Sequence, residues 1–175
     1  MDSARLPALG MSAELKEGKT MISFEIPGSG PVEIEHVLLD YNGTIAVDGA
    51  IAPGAADIIS ELAKLVHVVV LTADTYGTAK AQCEPLGVEV RTFPRENAAA
   101  FKEEYATSLA GGVAAFGNGR NDIGMFDKAA LSIAILDVEG ACAALLPHAD
   151  IVARDICEGL ALLLHVDRIR ATLRG

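Results

Sequence analysis

The sequence predicts an α/β domain whose mostly parallel sheet is covered by helices on both faces, and three observations lead to that expectation. Apolar runs suited to buried strands alternate along the chain with segments of helical spacing. Three of these runs, His36–Asp40, Val68–Thr72 and Val113–Phe116, end at a polar residue or cluster: Asp40, Thr72 and Gly117-Asn-Gly-Arg-Asn-Asp122. In an open parallel sheet the ligand crevice lies beyond the carboxyl ends of the strands, so these ends are expected to converge on one site. Finally, 175 residues, 51% hydrophobic and 22% charged, suffice for one core without disulfides or structural metal.

The elements follow in order. Residues 1–18 mix Ser, Pro, Gly, Glu and Lys without periodicity and lack the apolar core of a signal peptide, so they read as a flexible arm before a single domain at 19–175. A hairpin is expected within residues 20–40. Its strands, Met21–Ile26 and Val32–Asp40, flank the turn-rich Pro27-Gly-Ser-Gly-Pro31, lead into the first core strand and extend one sheet edge. Pro53 sits where a helix would start, and Ile58, Ile59, Leu62, Ala63 and Val66 recur at helical spacing before a strand at His67–Thr72. Thr75–Pro85 reads as a second helix, Val88–Phe93 as a strand and Glu96–Leu109 as a third helix. Strands at Gly112–Phe116 and Leu131–Leu136, a short helix near Glu139–Leu146, a strand at Asp150–Ala153 and a last helix from Glu158 complete the alternation.

Composition narrows the partners. The longest apolar stretches fall far short of the ~20 residues that span a bilayer, so no membrane role is expected. A net charge of −10 and the absence of Trp argue against nucleic acid, which needs basic patches or stacking platforms. Cys83, Cys142 and Cys157 are odd in number and show no metal-binding spacing, consistent with reduced thiols in the cytoplasm. A carboxylate-rich cleft would also repel an anionic substrate unless a divalent cation intervened.

In Asp40-Tyr-Asn-Gly-Thr44 a carboxylate leaves a buried strand, and Gly43 lets the backbone turn around whatever that carboxylate holds. Thr72, in register with Asp40, is a candidate to hydrogen-bond a phosphate oxygen. Each motif also has a plain structural reading: an Asx-turn at Asp40, strand propensity at Thr72, a Gly/Asn turn at 117–122. Together, in this order, they are far more specific than any one alone.

With these motifs the chain resembles the haloacid dehalogenase superfamily and, more narrowly, the phosphorylation domain of P-type ATPases as a free-standing protein. The resemblance rests on Asp40-Tyr-Asn-Gly-Thr44, Leu71-Thr72-Ala73-Asp74, Lys102, Gly117-Asn-Gly-Arg-Asn-Asp122, Ala129-Ala-Leu-Ser-Ile-Ala134 and Ala149-Asp-Ile-Val-Ala-Arg-Asp155, and it covers roughly residues 33–165. It implies a Rossmannoid three-layer fold and a phosphohydrolase in which Asp40 attacks phosphorus and forms an aspartyl-phosphate. Thr72 and Lys102 would hold the phosphoryl oxygens, while Gly43, Thr44, Ala73 and Arg120 would border a small phosphorylated substrate. Mg2+ would be bound by Asp40, the main-chain carbonyl of Asn42, Asn118 and Asp122. Lys102 also reads as a solvated charge beside Glu103 and Glu104.

Two positions depart from the family pattern. Asn42 stands where these phosphatases carry a second Asp that protonates the leaving group, a contribution worth ~10²–10⁴ in rate, so turnover of ordinary phosphomonoesters is expected to be slow. Asn118 replaces an Asp of the acidic motif and removes one negative charge from the metal site. Asp48 is a further candidate proton donor, with a polar turn before Gly49 as its other reading. The alternative for the whole chain is a non-catalytic or regulatory protein that keeps the fold and a phosphate or metal site. Only about 27 residues separate Thr44 from Thr72 and about 29 separate Thr72 from Lys102, too few for a cap domain. A capless site has to exclude water in another way, so a homo-oligomer is expected, with the Met21–Ile34 segment covering a sheet edge or a neighbour's site.

Overall fold

The computed structural model describes residues 21–74 and 77–175. The arm expected at 1–18, residue 20 of the expected hairpin region and the first two residues of the helix expected at Thr75–Pro85 lie outside them. In chain order, β1 (Ile22–Ile26) and β2 (Gly30–Ile34) form an antiparallel hairpin, followed by β3 (His36–Asp40) and a small ribbon of β4 (Ala46–Val47) and β5 (Ala50–Ile51). Then come α1 (Ala55–Leu62), β6 (His67–Thr72), α2 (Ala79–Cys83), β7 (Glu89–Thr92), α3 (Ala98–Ser108) and β8 (Val113–Gly117). The chain ends with α4 (Ile123–Lys128), β9 (Leu131–Ile135), β10 (Ile151–Ala153), α5 (Ile156–Leu164) and α6 (Val166–Leu173).

Six strands make one parallel sheet in the order β10-β9-β8-β3-β6-β7. Alternation along each strand divides its side chains between two cores. Val37, Leu39, Val68, Val70, Ala114 and Phe116 face α1, α5 and the hairpin. Leu38, Val69, Leu71, Val113 and Ala115 face α3 and α4. From β3 the chain crosses to β6 on one side and later returns to β8 on the other, so the strand order reverses beside β3. That reversal opens a crevice at the carboxyl end of β3, where Asp40 stands. Between β3 and β6 lie the small ribbon and α1, and between β6 and β7 come α2 and a 3-10 turn at Glu84–Leu86; among the described residues there is no cap domain.

Several elements differ from expectation: the strand read as Val32–Asp40 breaks at Glu35 into β2 and β3, and the β4–β5 ribbon and α4 are additional. The hairpin makes its own two-stranded sheet and does not extend an edge, because β3 is a central strand paired on both sides. It packs at the amino end of the sheet: Glu35 and His36 N–H donate to Gly112 O at 2.9 and 3.1 Å, and His67 N–H donates to Glu35 O at 3.0 Å. Gly112 is required there, since a Cβ would lie 1.6 Å from Glu33 O. The segment expected as a helix near Glu139–Leu146 is instead a run of turns ending in a 3-10 turn at Leu146–His148. The last helix starts at Ile156 because Asp155 caps it, its carboxylate accepting from Glu158 N–H at 2.8 Å, and the chain breaks at His165 into α5 and α6. Among the described residues no helix is long and apolar enough to cross a membrane.

Candidate active site

The β4–β5 ribbon is what shapes the loop after Asp40. Its tip, Asp48 (φ 50°) and Gly49 (φ 80°), is a two-residue hairpin turn with both φ values positive, a conformation that Asp-Gly favours. Gly49 O accepts from Tyr41 Oη at 3.1 Å, Thr78 Oγ1 at 3.0 Å and Gln82 Nε2 at 2.5 Å, so the ribbon is fixed from three sides. Asp48 therefore serves the turn and does not line the cavity. Within the loop, Gly43 N–H donates to Ala46 O at 2.8 Å and folds the backbone back over Asp40.

Lys102 joins the two carboxylates of the site. It lies on the inward stripe of α3 with Ala98 and Ala106, is fully buried, and donates from Nζ to Asp40 Oδ1 at 2.5 Å and Asp122 Oδ1 at 2.7 Å. Asp40 Oδ2 accepts from Thr44 Oγ1 at 3.1 Å. Asp122 Oδ2 accepts from the N–H groups of Asn118 and Gly119 at 3.1 and 2.8 Å, which shapes the acidic loop around it. Asn118 Oδ1 lies 3.4 Å from the same Thr44 hydroxyl, so Asp40 and Asn118 present oxygens to one point.

The electrostatics of the site follow from these contacts. Burial alone would depress the Lys102 ammonium, but the charges of Asp40 and Asp122 outweigh it and hold the group above its ordinary range. Asp122 is pushed up to about 6, by burial first and by the charge of Asp40 second, even with Lys102 beside it. Two carboxylates share one ammonium, an excess of one negative charge in this buried group. A divalent cation fits that excess, and the oxygens of Asp40, Asn118 and the Asn42 main chain are the hard donors that Mg2+ takes. Among the described residues no group of three His, Cys, Asp or Glu is placed to hold a metal ion, so amide and main-chain oxygens would have to share the task.

A cavity of about 470 Å³ opens on Asp40, Asn42, Ala73, Lys102 and Asn118, which are thus brought together as the sequence predicts. Contrary to expectation, the register partner of Asp40 is Leu71; Thr72, one residue further on, is buried with its Oγ1 accepting from Asp74 N–H at 2.8 Å and does not line the cavity, and neither does Asp122, which lies behind Lys102. Arg120 is exposed and does not line the cavity, whereas Arg95 does. Glu139 is a lining residue that the sequence reading missed, since it belongs to no motif and sits in a stretch that reads as helix. Gly43 (φ +77°) packs so closely that a Cβ would press on the Asn118 amide and lie 2.9 Å from Glu139 Oε2. Gly43→Ala is therefore expected to destabilise the protein by about 1–2 kcal/mol from backbone strain alone and to disturb the site further, measurable as a lowered denaturant midpoint with loss of activity.

The comparisons with known proteins agree with this architecture. Cobalt-bound deoxy-D-mannose-octulosonate 8-phosphate phosphatase from Haemophilus influenzae superposes with a TM-score of 0.63 over 81% of this chain and 94% of that one, at 14% identity. The 3-deoxy-D-manno-octulosonate 8-phosphate phosphatase of Moraxella catarrhalis, solved with magnesium, phosphate and KDO, gives the same TM-score and shares at 12% identity. A zinc-transporting PIB-type ATPase is 28% identical, with a TM-score of 0.53 over 70% of this chain and only 20% of the ATPase. The fold of the chain is thus similar to that of haloacid dehalogenase-type hydrolases. No protein-family model matches the chain. Among curated proteins, Uncharacterized protein MJ0073 of Methanocaldococcus jannaschii is 40% identical over 62 residues, 35% of this chain and 67% of that protein, and the chain belongs to that protein's family.

Proposed function

We propose that this protein is a magnesium-dependent phosphohydrolase that acts on a small phosphorylated substrate through an aspartyl-phosphate on Asp40. The observation that supports this reading is Asp40 itself, a carboxylate on the central strand, held by Lys102 and Thr44 and open to a cavity lined by polar groups. Thr44 fixes Oδ2, and Lys102 screens the carboxylate from the incoming phosphate. An oxygen of Asp40 attacks phosphorus as the bond to the leaving group breaks, and water then attacks the phosphoryl group and returns Asp40 to its carboxylate. Mg2+ would be held by Asp40, the Asn42 main-chain carbonyl and Asn118, and would supply charge neutralisation. Asp122 holds Lys102 in place from behind.

Asn42 sets the rate. Its side-chain oxygen is buried without a hydrogen-bond partner, and an amide cannot pass a proton to the leaving group or take one from water. Aryl and acyl phosphates, whose leaving groups need little protonation, are therefore the better substrates. The test is a magnesium-dependent phosphatase screen of wild type and Asn42→Asp. The variant is expected to turn over alkyl phosphates about tenfold faster or more. Undetectable turnover of every phosphate by both proteins would replace this reading with a regulatory one.

A further inference from the structure

The turn that carries Glu139 is tied to the acidic loop through Asn118. Gly140 N–H donates to Asp137 O at 2.7 Å and Val138 N–H to Asp137 Oδ1 at 2.7 Å, closing the turn on itself. Asn118 then holds it from two sides: its Nδ2 donates to Gly140 O at 3.0 Å, and its main-chain O accepts from Cys142 N–H at 2.7 Å. A carbonyl can only accept, so the amide must present nitrogen to Gly140 and oxygen to Thr44. The result places the Glu139 side chain in the same cavity as Asp40, Asn42 and Asn118, leaning over Gly43.

An aspartate at position 118 could not make this contact. It has no proton to give Gly140 O, and its charge would face both that carbonyl and the Glu139 carboxylate. The amide thus gives up a negative charge and gains a donor, and the donor positions another negative charge nearby. We propose that Glu139 supplies the carboxylate that Asn118 lacks, as an acidic ligand of the divalent cation at Asp40, with Asn118 as the residue that positions it. Asp40, Asp122 and Glu139 against Lys102 leave a net charge of −2, and Arg95 and Glu96, which also line the cavity, offset each other, so the balance matches a divalent ion. This inference deepens the proposed phosphohydrolase reading, and it rests on that reading only in sharing the cation.

The experiment is calorimetric titration with MgCl2 of the full chain as wild type, Glu139→Gln, Asn118→Asp and the double variant. Glu139 is exposed, so its amide variant should fold, and circular dichroism verifies this for all four proteins. Glu139→Gln is expected to weaken magnesium binding by about tenfold or more, and Asn118→Asp in that background to restore most of the loss. In the wild-type background Asn118→Asp is expected to gain far less, because the two carboxylates then repel and the Gly140 tether is lost. Binding by Glu139→Gln indistinguishable from wild type, additive effects of the two substitutions, or no magnesium binding by wild type would each overturn the proposal. Magnesium binding that depends on Glu139 in a protein without phosphatase activity would keep the role of Glu139 and remove the hydrolase reading.

Discussion

Asp40→Asn is expected to reduce phosphate turnover to background, a loss on the order of 10⁶-fold if removal of this nucleophile costs what removal of a covalent nucleophile costs elsewhere. An amide oxygen is too weak a nucleophile to form the acyl-phosphate bond, and among the described residues no other carboxylate stands in its place: Asp122 lies behind Lys102 and Glu139 leans over Gly43. The substitution is nearly isosteric. Its Oδ1 can still accept from Lys102, which keeps Asp122 as its charged partner, so the fold should survive and the loss can be assigned to chemistry.

Lys102→Ala is expected to act mainly on stability. Among the described residues it removes the one cation paired with Asp122, which is fully buried, and breaking a buried ion pair from one side costs about 3–5 kcal/mol. The sign of its pH dependence follows from Asp122. Its folded-state value, already raised to about 6, rises further without the ammonium, while the unfolded chain keeps an ordinary carboxyl. The folded state then holds a proton that the unfolded state releases, so stability falls as pH rises from the ordinary carboxyl range through the raised value. Urea midpoints should therefore show the variant closest to wild type near pH 5 and furthest from it near pH 8. An equal loss at both pH values would show that Lys102 acts by packing alone.

Much of this was legible in the sequence because the strands carry a strong pattern. His36–Asp40 and His67–Thr72 appear as strands, and Asp40 and the 117–122 loop do meet at one cavity beside β3, whereas Thr72 stays buried and does not reach it. The hairpin's placement was not legible, since an apolar face suits an added edge strand and a separate ribbon equally. The difference lies in a long-range contact, the backbone approach of Glu33 to Gly112. The apolar residues of Glu139–Leu146 imitate a helix, but Gly140 adopts φ 73° and Asn118 ties the backbone into turns. Lys102 was legible through the resemblance alone, since its acidic neighbours equally suit a solvated face; its position on the Ala98–Ala106 stripe is what buries it. Glu139 reaches the cavity from a turn, where no periodicity marks it.

The central claim is that Asp40 carries the phosphoryl group, and its most direct measurement is intact-protein mass spectrometry after acid quench. The protein is incubated with magnesium and an acyl phosphate, followed by peptide mapping. With Asn42 unable to activate water, the intermediate should break down slowly enough to accumulate, adding the mass of one phosphoryl group to the peptide that contains Asp40. Asp40→Asn should show no such species, and Asn42→Asp should show less of it as turnover rises. Substrate hydrolysis by wild type with no phosphorylated Asp40 at any quench time, or phosphorylation that persists in Asp40→Asn, would contradict the account.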